Sequence, residues 1–139
     1  MNTLPSLEFI PETQNDAEGK LMNSTGIFTV NDTESVAFRM QLHPGQSAAY
    51  RQRHDTVWPE LSQALLDAGV LDFKIWLDNE TNILFAFMTR RPDHSLPTLR
   101  ASPLMMRWWS MMSDIMETNP DLSPREWELL PMFCLQSNS

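Results

Sequence analysis

With 139 residues, 42% hydrophobic content and a formal net charge of −8, the chain can build one ordinary core and falls short of two. The acidic balance argues against nucleic acid or an anionic membrane as partner, because either favours a basic face. Cys134 is the single cysteine, so no intrachain disulfide framework or cysteine-based zinc cluster is expected.

A reducing cytoplasm is the expected compartment. The N-terminus carries no signal-peptide pattern, and no stretch approaches the about 18 apolar residues of a membrane span. Residues 1–34 are rich in Asn, Thr, Ser, Glu and Pro and hold Glu8, Glu12, Asp16, Glu18, Asp32 and Glu34 against Lys20 alone. They read as an acidic, mostly irregular extension, with Gly26 to Val30 able to add one strand. The domain proper is placed at 35–136.

Val36, Phe38, Met40 and Leu42 alternate with Ala37, Arg39 and Gln41 as a half-buried strand that His43-Pro44-Gly45 ends. A helix is predicted from about Gln46 to Ala68, kinked at Pro59 on its solvent side. At about 100° per residue, Tyr50, His54, Val57, Trp58, Leu61, Ala64, Leu65 and Ala68 share one face, with charged and polar residues opposite. His54 therefore points inward. It reads either as a hydrogen-bonded core residue or as a general acid–base group, since an imidazole titrates near pH ~6.5.

Gly69 stops the helix, and Phe73–Leu77 and Ile83–Thr89 form a hairpin across Asp78-Asn79-Glu80-Thr81-Asn82. Ser102 and Pro103 open a second helix to about Glu117, whose apolar arc gathers Leu104, Trp108, Met111, Met112 and Ile115, widened by Met105, Trp109 and Met116. Glu128 to Leu135 supplies a last strand. The methionines read as adaptable packing, His43 and His94 as surface residues, Arg90-Arg91 as a solvated strand end, and Cys134 as a buried small hydrophobe. Strand, helix, strand, strand, helix, strand is the ferredoxin-like split βαβ order of an α+β fold, a four-stranded antiparallel sheet with both helices on one face. The other face, with Arg39, Gln41, Lys74 and Trp76 beside apolar groups, is too apolar for plain solvent. A homodimer of the dimeric α/β-barrel type is expected.

Residues 36–135 resemble the L-rhamnose mutarotase family. The resemblance rests on Ala37-Phe38 with Met40-Gln41, Tyr50-Arg51-Gln52-Arg53-His54, Trp58-Pro59-Glu60-Leu61, Leu84-Phe85-Ala86, Arg107-Trp108-Trp109, and Asn119-Pro120-Asp121 with Ser123-Pro124, in that order. It implies a cofactor-free, metal-free isomerase acting on a monosaccharide, in which His54 matches the catalytic proton donor, Tyr50 a sugar-contacting tyrosine, and Trp108 and Trp109 the pocket tryptophans. Where the family commonly has a second sugar-contacting tyrosine this chain has Phe73, a loss of roughly 0.5–1.5 kcal/mol for one neutral hydrogen bond.

Anomer exchange requires a proton on the ring oxygen and removal of one from the anomeric hydroxyl. One positioned acid–base group supplies about 10²- to 10⁴-fold. The rival readings are a cofactor-independent oxygenase of the same dimeric fold and a non-catalytic sugar-binding module. An isomerase acting on the open-chain sugar is set aside, because the inward stripes show no carboxylate.

Overall fold

A computed structural model describes residues 26–137 together with two short strands before them. In chain order the elements are β1 (Gln14–Asn15), β2 (Leu21–Met22), β3 (Ile27–Val30), β4 (Thr33–Gln41), α1 (Ser47–Asp55), α2 (Pro59–Asp67), β5 (Val70–Asp78), β6 (Ile83–Arg90), α3 (Leu96–Arg100), α4 (Pro103–Met112) and β7 (Trp127–Leu129). The sheet runs β1-β2-β3-β4-β6-β5, with β7 also on β4. The β7-β4-β6-β5 portion, antiparallel throughout, is the ferredoxin-like sheet.

One edge of β4 is divided between two strands. Its second half takes β7, with Ala37 opposite Leu129 and Arg39 opposite Trp127. Its first half takes β3, with Ile27 opposite Val36 and Val30 opposite Thr33. This division corrects the expected last strand. Beyond Leu129 the ladder positions on β4 are occupied by β3, so residues 130–135 leave the sheet despite their alternating pattern. Met132, Phe133 and Leu135 stand 83%, 77% and 82% exposed, and Cys134 is half-exposed rather than buried.

The first helical stretch also differs from expectation: it breaks instead of kinking. Trp58 is extended (φ −60, ψ 129), and Pro59 opens a new helix at its first position. The ring of a proline disfavours helical backbone in the residue before it, and no N–H is lost when proline starts a helix. The buried face survives the break, since Tyr50, Leu61 and Ala68 are all core residues. The second long helix ends at Met112 instead of Glu117, because the chain there turns back to β4. His43 N–H donates to the Ile115 carbonyl at 2.9 Å and Glu117 N–H to that of Gln41 at 2.9 Å, and Leu42 bridges Met116.

The helices cover one face of the sheet, where Met40, Leu84 and Ala86 pack with Tyr50, Leu61, Met105, Trp108 and Met112. Leu42 and Leu84, fully enclosed, each contribute about 1.5–3 kcal/mol by burial. The opposite face holds Trp127 between the guanidinium groups of Arg39 and Arg125, 4.7 and 4.6 Å from its ring. Trp76 and Phe87 lie open there, 65% and 45% exposed.

Candidate functional site

α1 carries Tyr50 and His54 one turn apart, so their rings stack with centroids 4.3 Å apart at 25°. The edge of His54 meets Trp108 of α4 at 5.4 Å and 89°, and Trp58 supports Trp108 from behind at 5.2 Å and 84°. Across the cleft Phe73 of β5 lies 6.4 Å from Phe38. Trp109 sits one helix step round from Trp108, with the Arg100 guanidinium 5.0 Å over its ring. Tyr50, His54, Phe73, Trp108 and Trp109 thus line one cleft of about 1350 Å³ between the helices and the sheet. The sequence placed them on three separate elements, and the fold brings all five together.

His54 Nδ1 lies 3.1 Å from the Tyr50 carbonyl oxygen. A carbonyl only accepts, so Nδ1 carries the hydrogen and Nε2 of the neutral ring has its lone pair bare. Burial holds His54 below the ordinary imidazole range, opposed by the bond to the Tyr50 carbonyl and by the charge of Asp55. Burial also pushes the Tyr50 phenol up, so it stays protonated. The resting site is a neutral base beside a neutral hydroxyl among aromatic rings.

The two helices that carry this site are tied at their ends. Arg53 Nη1 donates to the Met111 carbonyl at 2.7 Å and to Asp114 Oδ1 at 2.8 Å, while Nη2 donates to Oδ2 at 3.3 Å. This fork fixes the last turn of α1 against that of α4 and so sets the spacing of His54 and Trp108.

Several cleft residues escaped the sequence reading. Glu126 and Glu128 both line the cleft, correcting the expectation that no carboxylate faces inward. Trp127 pairs with Arg39 and points to the opposite face, so its neighbours point toward the helices. Burial raises the Glu126 carboxyl above its usual range, with Arg100 at 3.5 Å opposing. Arg90 and His94 also line the cleft and are half-buried, as is His43, against the expected surface positions. Among the described residues no group of three His, Cys, Asp or Glu side chains could hold a metal ion, and no helix is long and apolar enough to cross a membrane.

Comparison with known proteins agrees with this architecture. The family model described as L-rhamnose mutarotase matches residues 35–135. An L-rhamnose mutarotase of Burkholderia orbicola is 50% identical over 103 residues, 74% of this chain and 99% of the relative. One of Jannaschia sp. is 53% identical over 100 residues, 72% of this chain and 96% of the relative. The crystal structure of L-rhamnose mutarotase FA22100 from Formosa agariphila superposes with a TM-score of 0.68 at 43% identity, covering 73% of this chain and 98% of that one. The chain belongs to the L-rhamnose mutarotase family.

Proposed function

We propose that the protein interconverts the α and β anomers of L-rhamnose, with His54 as the proton carrier and residues 35–136 as the catalytic domain. The carrying observation is the bond from Nδ1 to the Tyr50 carbonyl, which leaves Nε2 as the one ring nitrogen able to exchange a proton with a bound sugar. Opening a pyranose moves one proton from the anomeric hydroxyl to the ring oxygen, and both oxygens are borne by the same carbon. Nε2 takes the proton from the hydroxyl, and the imidazolium formed returns it to the ring oxygen as the carbon–oxygen bond breaks. Rotation of the carbonyl and the reverse transfer close the other anomer. Protons and electrons balance without a cofactor or metal.

Trp108 and Trp109 offer apolar rings to the C–H surface of the sugar, and the protonated Tyr50 offers a hydroxyl for orientation. Phe73 supplies a wall without a hydrogen bond. A cytoplasmic homodimer fits the remaining features: the face bearing Trp76 and Phe87 is the surface we assign to a second copy. A monomer by light scattering argues against that assignment.

Saturation transfer between the anomeric protons of L-rhamnose, L-fucose and common hexoses tests the activity. Exchange of L-rhamnose above the buffer rate is expected. Binding without acceleration would leave a sugar-binding module, the reading that the missing hydroxyl at Phe73 favours.

A further inference from the structure

We infer that the strand β3, with Gly26 at its head, is a specificity element of the sugar cleft that the family's core lacks. This rests on the mutarotase reading above. The family model begins at residue 35, and the 103 matched residues already make up 99% of the Burkholderia orbicola relative. No room remains in that relative for a counterpart of residues 26–34. In this chain the added strand occupies the part of the β4 edge that β7 leaves empty.

Its side chains do more than cover an edge. Backbone pairing alone would satisfy the open ladder positions of β4, yet Gly26 and Ile27 line the same cleft as His54 and Trp108. Ile27 lies opposite Val36, which lies opposite Met88, so all three project toward the helices. Gly26 has φ +85, a conformation that side chains rarely adopt, and the Glu128 carboxylate occupies the place where a Cβ would stand. Both features make glycine the residue that lets the strand close against this acidic wall. The added strand therefore restricts the space in which a sugar sits, and Ile27 is the side chain that removing would open most simply.

The test compares kcat/KM for anomer exchange of L-rhamnose with that of L-mannose, L-fucose and D-glucose, for the full chain and for Ile27→Ala. Wider space in an apolar pocket changes discrimination by about tenfold per methylene. At least one of the three other sugars is expected to gain about tenfold on L-rhamnose. Ratios within twofold of the wild type for all three overturn the inference, whatever happens to the melting point. If Ile27→Ala fails to fold, Ile27→Val removes one carbon and is judged by the same ratios. Gly26→Ala supplies a second readout: it is expected to lower kcat/KM for every sugar, and Glu128→Ala in the same chain is expected to restore part of the loss, the strain of a side chain at φ +85 remaining. Loss with no recovery at all counts against the proposed seating of Glu128. A wild type that accelerates no sugar removes the mutarotase reading and this inference with it, whereas an active wild type with unchanged ratios removes the inference alone.

Discussion

Two histidines border the cleft, and their surroundings are opposite. His54 spends Nδ1–H on the Tyr50 carbonyl and keeps Nε2 bare among aromatic rings. His94 accepts the Leu96 N–H on Nδ1 at 3.2 Å, so its hydrogen is on Nε2, which lies 3.9 Å from Glu34 Oε1. The same oxygen takes the Arg90 Nε–H at 3.0 Å. His94 is a brace between β4, β6 and the segment leading into α3, packed so closely that a Cβ on Gly69 would stand 3.0 Å from its own. A histidine becomes a proton carrier when one nitrogen is tied and the other faces a substrate cavity. With one nitrogen taking a backbone N–H and the other turned toward a carboxylate already bonded to Arg90, it becomes structure.

Substitution is the strongest way to break this contrast. His54→Ala is expected to lose about 10²- to 10⁴-fold in anomer exchange while keeping its fold, and His94→Ala to stay within about threefold of the wild-type rate while melting a few degrees lower. Equal loss in both would end the distinction.

Phe73→Tyr sharpens the account of the cleft next. It adds the hydroxyl that the family resemblance implies for this position, and a neutral hydrogen bond of about 0.5–1.5 kcal/mol corresponds to a fall in KM of about 2- to 10-fold, with kcat little changed. Titration of exchange rate against L-rhamnose concentration measures it. The smallest effect is expected at the clamp. Arg53→Met frees the α1 end from Asp114, and a looser spacing of His54 and Trp108 should lower kcat by less than about tenfold. If kcat is unaffected but the melting point drops, the fork serves stability alone.

The site was legible where a period carried it. Tyr50, His54, Leu61 and Ala68 keep one face because the irregular stretch at Thr56, Val57 and Trp58 spans close to one helical turn, so the phase is preserved through a break that the kink expectation missed. The hairpin of β5 and β6 was equally readable, since its turn has local chemistry: Asp78 accepts from the Glu80 N–H at 3.1 Å and the Thr81 hydroxyl at 2.9 Å. What stayed hidden depends on distant partners. No local pattern tells that Glu34 reaches Arg90 and His94, or that β3 displaces the end of the last strand from β4. Glu126 precedes the expected last strand and Glu128 opens it, and neither can be assigned to a face before the pairing of Trp127 with Arg39 is known.

The protonation of His54 is the point on which the whole reading turns. Because burial lowers its pKa, the neutral base form persists below pH 6.5, and on acidification the base form is lost only as pH falls through that lowered value. The direct measurement follows the ring nitrogens of His54 by ¹⁵N NMR and the anomer exchange of L-rhamnose by saturation transfer, over the same pH series and corrected for buffer catalysis. The account predicts a neutral ring with its hydrogen on Nδ1, and an exchange rate that falls on the acid side with the midpoint at which Nε2 gains a proton, below pH 6.5. A rate that stays flat through the titration of His54, or a neutral ring with its hydrogen on Nε2, would contradict it.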